Sequence, residues 1–65
     1  MILKLNGERR EVAAATLDVL LRELDLAPEA VATALNGEFV PRFERAATSL
    51  ADGDAVELLS PMQGG

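Results

Sequence analysis

The side chains that usually carry catalysis are scarce in this sequence. Its 65 residues include no histidine and no cysteine, which excludes the usual zinc ligands, a thiol nucleophile and an imidazole base. Asp52 and Asp54 resemble part of a metal site, but a Ca²⁺ loop needs more oxygen ligands, spread over about twelve residues. We interpret them as acidic residues of a turn. A self-contained enzyme is therefore not expected.

The last two residues of the sequence, Gly64 and Gly65, offer a different chemistry. A terminal glycyl carboxylate has no side chain to obstruct a narrow channel, and glycine adopts backbone angles closed to other residues. Such an arm can enter the active site of a partner enzyme. The carboxylate is ionised at neutral pH and inert toward nucleophiles, so we expect activation through an acyl phosphate anhydride made from ATP. A frayed end is the alternative interpretation.

Charge and composition narrow the class of partner. The net charge of −5 and the pI near 4.4 argue against binding to nucleic acid or to an anionic membrane surface, since both require a basic stripe. No segment approaches the roughly 18 to 20 apolar residues of a membrane span, and the start lacks the features of a signal peptide. We expect a folded, soluble, cytoplasmic protein whose partners present a basic face.

Turn signals divide the chain into strands. Three dipeptides accept positive φ at low cost, namely Asn6-Gly7, Asn36-Gly37 and Asp52-Gly53. Residues 2–5 alternate so that Leu3 and Leu5 share one face, and residues 8–12 are polar enough for an edge strand. The sequence therefore predicts a hairpin over residues 1–13.

The hydrophobic period changes to 3.6 residues after Thr16. Apolar residues then recur at helical spacing, as Leu17, Leu20, Leu21 and Leu24. We predict a helix of about ten residues with Thr16 as N-cap and Pro28 closing the segment. Residues 30–35 fit helix or strand equally well. We choose a strand, because Asn36-Gly37 and a return strand over residues 38–40 follow at once.

Two further elements complete the prediction. Apolar residues at helical spacing predict a short helix or helical turn within residues 42–50, anchored to the core by Leu50; the set is Phe43, Ala46, Ala47 and Leu50. A last strand over residues 55–59 would point Val56 and Leu58 inward and Leu59 outward. The basic residues are interspersed with acids and predict a solvated surface, and they include Arg9, Arg10, Arg42 and Arg45.

The order of these motifs resembles the ThiS family of sulfur carriers in thiamine biosynthesis. The resemblance covers essentially the whole chain, and the combination is more specific than any one motif. It is carried by the strand ending at Asn6, the helix opening at Thr16, residues 35–42 (LNGEFVPR), residues 50–57 (LADGDAVE) and the tail MQGG. Two positions depart from it, Thr33 where relatives usually carry an aliphatic residue, and Pro61 at the start of the tail.

The resemblance implies a fold of the α+β class. It is a β-grasp, ubiquitin-like fold, in which a mixed sheet of about five strands packs on one main helix plus a short helical turn. The domain would cover residues 1–60, and residues 61–65 would form a flexible Gly-Gly tail. Residues 31–35 would be a strand.

A carrier cycle is the implied function. A ThiF-like adenylyltransferase would use ATP and Mg²⁺ to adenylate the Gly65 carboxylate, and a persulfide donor would convert it to a thiocarboxylate. Thiazole synthase (ThiG) would then take the sulfur into the thiazole ring. The carrier would not be an enzyme and would hold no permanent cofactor or metal.

We expect partners to recognise the outward face of the sheet near the tail. Leu59 and Met62 form an apolar pair there, with Gln63 beside them and Glu57 as an acidic rim. Gly64 would give the tail access to a narrow active site. Ordinary scattered apolar surface residues are the alternative interpretation of Leu59 and Met62.

Three other functions remain open on the sequence alone. A MoaD-like small subunit of molybdopterin synthase shares the fold and the tail chemistry, although greater length is usual there. A ubiquitin-like modifier would join Gly65 to a lysine through an isopeptide bond. A non-covalent β-grasp interaction domain would not need its glycines.

Overall fold

One mixed sheet and one α-helix dominate residues 1–60, which are the residues that the computed structural model describes. The strands are β1 (Ile2–Leu5), β2 (Glu8–Glu11), β3 (Ala32–Leu35), β4 (Glu38–Val40) and β5 (Ala55–Leu59), and the helix is α1 (Leu17–Glu23). Short 3₁₀ helices cover Pro28–Ala30 and Arg42–Ala47. The five strands lie in the order β2-β1-β5-β3-β4. β5 is parallel to β1 and antiparallel to β3, so the predicted β-grasp architecture is confirmed.

Both Asn-Gly dipeptides form the tight turns that their sequence predicts. Asn6 and Gly7 have φ of 51° and 85°, and Asn36 and Gly37 have φ of 51° and 86°. Two successive positive φ angles suit the right-handed twist of the flanking strands. The first turn joins β1 to β2 and the second joins β3 to β4. Residues 32–35, which the sequence left ambiguous, are a strand.

The leucine stripe of α1 packs on one face of the sheet. Leu17, Leu20 and Leu21 are at most 1% exposed, and Leu24 packs against the same core. The sheet contributes buried apolar side chains from several strands, among them Leu3, Val40 and Val56. Alternation along each strand therefore leaves the other face of the sheet free of this core.

The helix begins where predicted but ends earlier than predicted. Thr16 is extended, and its hydroxyl donates to Asp18 Oδ1 at 2.5 Å instead of capping the helix. This hydrogen bond is the main cause that lowers the pKa of Asp18. The helix stops at Glu23 because Asp25 takes a left-handed conformation with φ of 60°. Pro28 opens the next 3₁₀ helix rather than closing α1.

Arg45 overturns the prediction of a solvated surface for the basic residues. The segment predicted as a helical turn buries Arg45, which is 4% exposed, and leaves Phe43 84% exposed. The Arg45 guanidinium donates to Thr33 Oγ1 at 3.1 Å, to the Pro28 carbonyl at 2.8 Å and to the Val31 carbonyl at 2.7 Å. Burial, with a smaller effect of a neighbouring positive charge, lowers the pKa of Arg45. These neutral oxygens replace the water that a surface arginine would have.

Candidate functional site

Strand β5 is the last strand and directly precedes the C-terminal segment. It lies in the middle of the sheet, paired with β1 on one side and β3 on the other. Ser60 follows the strand directly and is exposed. The predicted site residues Met62, Gln63, Gly64 and Gly65 lie outside the described residues. The structure therefore describes the domain that precedes those residues in the chain.

Two asparagine side chains hold the two ends of β5. Asn36 Oδ1 accepts the Ala55 amide at 2.9 Å at the start of the strand. Asn6 Oδ1 accepts the Leu58 amide at 2.8 Å, and Asn6 Nδ2 donates to the Leu58 carbonyl at 3.2 Å. Each asparagine belongs to an Asn-Gly turn, so each turn both reverses the chain and ties down the final strand.

The face of the sheet opposite α1 carries an apolar strip across three strands. Phe39 lies opposite Ala34 on the adjacent strand, and Ala32 lies opposite Leu59. Thr33 and Val40 are buried and Leu58 packs against the core, so alternation places the four neighbouring side chains on the outer face. Phe39 is 69% exposed and Leu59 is 65% exposed. We call Ala32, Ala34, Phe39 and Leu59 the open-face patch.

Sequence reasoning found part of this surface and missed part of it. Leu59 points outward as predicted, and Glu57 lies on the same face, opposite Ala34. Phe39 was missed as a member of the site. The signal was available, because Val40 precedes a proline at the end of a predicted strand and fits the core, which sends Phe39 to the other face.

The carboxylates of Asp52 and Asp54 accept hydrogen bonds from backbone amides. Asp52 Oδ1 accepts the Ile2 amide at 2.6 Å, and Asp54 Oδ2 accepts the Ala51 amide at 2.8 Å. Asp54 Oδ1 also accepts the side-chain amide of Asn36 at 3.1 Å. These carboxylates tie the turn to β1 and to the second Asn-Gly turn, as expected for turn residues.

Two other kinds of site are absent from residues 1–60. No cluster of three or more potential metal-ligating side chains occurs within residues 1–60. Over the same residues, no helix has the length and apolar character needed to cross a membrane. The candidate site comprises the end of β5 and the open-face patch beside it.

Comparison with solved structures identifies close matches to this fold. The crystal structure of the thiamine biosynthesis protein ThiS from Geobacter metallireducens superposes with a TM-score of 0.84, at 42% sequence identity, over the whole of both chains. The solution structure of a thiamine biosynthesis protein from the same organism gives a TM-score of 0.83 at 42% identity, covering all of this chain and 88% of that one.

Sequence comparisons agree with the structural matches. The sulfur carrier protein ThiS of Thermus thermophilus is 41% identical over 61 residues, covering 94% of this chain and 95% of that protein. A thiazole synthase of Paramagnetospirillum magneticum is 38% identical over 66 residues, covering all of this chain but only 20% of that protein. The ThiS family model matches residues 3–65. On its fold, on these identities and on a family match that runs through the terminal glycines, the chain belongs to the ThiS family.

Proposed function

We propose that this chain is a sulfur carrier of thiamine biosynthesis, with the carboxylate of Gly65 as the group that carries sulfur. The observation with the most weight is the family match over residues 3–65, which includes the two final glycines. The similarity to the carrier of Thermus thermophilus over 95% of its length supports the same role. In this role the chain is a substrate of its partner enzymes and not itself an enzyme.

The chemistry requires three steps, of which the first activates the carboxylate. The Gly65 carboxylate attacks the α-phosphate of ATP on an adenylyltransferase, which forms the acyl adenylate and releases pyrophosphate. Mg²⁺ held with ATP by that enzyme offsets the phosphate charge. The terminal sulfur of a cysteine persulfide then attacks the acyl carbon and displaces AMP. A second thiol must cleave the resulting acyl disulfide to leave the thiocarboxylate, and the two thiol sulfurs are oxidised to a disulfide.

In this proposal the chain supplies only the carboxylate, and its partners supply the catalytic groups. Adenylation supplies the good leaving group, and the thiocarboxylate is a soft nucleophile held on a folded body that partners recognise. With neither histidine nor cysteine in the sequence, a persulfide or an imidazole base has to come from the partners. We propose that the chain retains no cofactor between steps and that the cycle runs in the cytoplasm, where ATP is available.

Thiazole synthase is the proposed acceptor of the sulfur. The thiazole synthase of Paramagnetospirillum magneticum contains a segment similar to this whole chain, which makes up a fifth of that protein. This likeness supports a working association between the two kinds of domain. We propose the open-face patch and Glu57 as the surface that the partners contact, since the patch lies beside the end of β5 and is apolar with an exposed aromatic anchor.

Growth without thiamine tests the proposal in cells. A strain that lacks its own carrier should grow when it receives the full chain and should fail to grow when it receives a chain lacking Gly64 and Gly65. The truncation leaves residues 1–60 intact, so the purified protein should unfold at the same temperature as the full chain. Equal growth with both chains, at equal protein levels, would refute the role of the terminal glycines.

A further inference from the structure

The two sides of β5 are held differently near its end. On the β3 side, backbone pairing continues to Leu59, which lies opposite Ala32. On the β1 side, pairing stops earlier, with the Asn6 amide donating to the Val56 carbonyl at 2.9 Å. Beyond that point β1 turns away into the hairpin, because Asn6 and Gly7 both have positive φ. Backbone groups at the end of β5 would therefore lack hydrogen-bond partners on this side unless another group supplied them.

The side chain of Asn6 supplies these hydrogen bonds. Its Oδ1 accepts from the Leu58 amide at 2.8 Å and its Nδ2 donates to the Leu58 carbonyl at 3.2 Å. A primary amide offers one acceptor and one donor in a plane, which is what the edge of a neighbouring strand offers. Asn6 therefore extends the sheet by one residue pair, two residues before the end of the described chain.

We propose that Asn6 is a positioning residue for sulfur loading, which fixes the direction in which the C-terminal segment leaves the sheet. This inference rests on the proposed function, because the segment matters only if Gly65 reacts. A partner enzyme must bring a terminal carboxylate into its active site. A strand end that is already ordered loses less conformational freedom on binding than a loose one, so the complex forms at a lower concentration of carrier.

The second Asn-Gly turn provides a matched control. Asn36 has the same φ as Asn6, precedes a glycine in the same way and also binds β5 through its side chain. It holds the start of the strand, whereas Asn6 holds the end. Replacing either residue by glycine keeps the positive φ without strain and removes the side-chain hydrogen bonds, and the added freedom of the unfolded chain is common to both variants.

The test compares Asn6→Gly with Asn36→Gly in ATP-dependent adenylation of the full chain, measured as pyrophosphate release. We expect Asn6→Gly to raise the KM for the carrier roughly three- to tenfold with little change in kcat. Asn36→Gly should leave both constants within about twofold of the unaltered chain. Equal KM values for the two variants would overturn the inference. If the unaltered chain is never adenylated, the proposed function itself fails.

Amide hydrogen exchange provides a readout that needs no partner. Exchange at Leu58 should be faster in Asn6→Gly than in Asn36→Gly, even where both variants lose similar global stability. Equal exchange rates would contradict the inference whatever the enzyme assay shows. If Asn6→Gly does not fold, Asn6→Asp replaces it, because aspartate tolerates the turn and accepts from the Leu58 amide but cannot donate to the carbonyl. A KM for Asn6→Asp equal to that of the unaltered chain would then overturn the proposal.

Discussion

A buried arginine joins three parts of the chain that the sequence does not mark as neighbours. Arg45 reaches Thr33 in β3 and two carbonyls, that of Pro28, the first residue of the first 3₁₀ helix, and that of Val31, which follows this helix. The Thr33 hydroxyl in turn donates to the Val40 carbonyl at 2.9 Å. This network explains why a polar residue stands at position 33, where the resemblance led us to expect an aliphatic one.

Replacing Arg45 by alanine should destabilise the fold. Arg45→Ala leaves the Pro28 and Val31 carbonyls without their donors, and we expect a loss of about 2–3 kcal/mol in the free energy of unfolding. Urea titration followed by circular dichroism measures it. Arg42→Ala is the control, since Arg42 is 63% exposed and lies 3.9 Å from Glu29. It should change stability by less than about 0.5 kcal/mol. Equal losses for the two variants would contradict the structural role of Arg45.

At the scale of elements, hydrophobic period was a good guide where an element has one buried face. It predicted β1, β5 and the leucine face of α1, and the turn dipeptides located both hairpins. The strand β2 was predicted instead from its polar residues after the first turn, and all four of them are exposed. Hydrophobic period also predicted the helical turn over residues 42–47 and its anchor Leu50, but it did not predict that Arg45, rather than Phe43, is the buried side chain of that turn. The long-range hydrogen-bond partners of Arg45 leave no periodic signal in a single sequence.

The open-face patch can be tested as a property of the sheet. We expect Phe39→Ser and Leu59→Ser each to raise the Kd for thiazole synthase about fivefold or more, since an apolar anchor at an interface contributes above 1 kcal/mol. Stability should change little, because both side chains are mostly exposed.

Phe43→Ser is the matched control for the patch. Phe43 is 84% exposed and lies in the second 3₁₀ helix, outside the sheet. Its replacement should leave the Kd within about twofold of the unaltered chain. Isothermal titration with purified thiazole synthase measures all three variants. A weaker complex with Phe43→Ser than with Phe39→Ser would move the contact surface away from the patch.

At the scale of the whole molecule, a thin aliphatic core supports the fold. A domain of this size has a net stability of about 3–5 kcal/mol. Leu20→Ala removes a fully buried side chain and should lower the free energy of unfolding by about 2–5 kcal/mol. In an assay at 37 °C, a large share of this variant should therefore be unfolded. Val19→Ala, at a position 38% exposed on the same helix, should unfold within a few degrees of the unaltered chain. Circular dichroism melting curves distinguish the two, and a fully folded Leu20→Ala would contradict this view of the core.

Residue types and spacing predicted the main helix, most of the strands and the reactive carboxylate of Gly65, and the resemblance to the ThiS family added the β-grasp fold and the sulfur chemistry. Gly64 and Gly65 stand out because the chain has neither cysteine nor histidine, and a terminal glycyl carboxylate can enter a narrow active site. The hydrogen bonds from the Asn6 side chain to the Leu58 backbone could not be predicted, since they join residues 52 positions apart. The two residues look like an ordinary turn residue and an ordinary core residue.

Intact-protein mass spectrometry after reconstitution shows directly whether Gly65 carries sulfur. The full chain is incubated with the adenylyltransferase, ATP, Mg²⁺, a persulfide donor and a thiol, and the product is then fragmented to locate any change. We predict that one oxygen is replaced by one sulfur and that the change lies at Gly65. A folded chain whose mass stays unchanged, while the same enzymes load the ThiS protein of Thermus thermophilus, would contradict it.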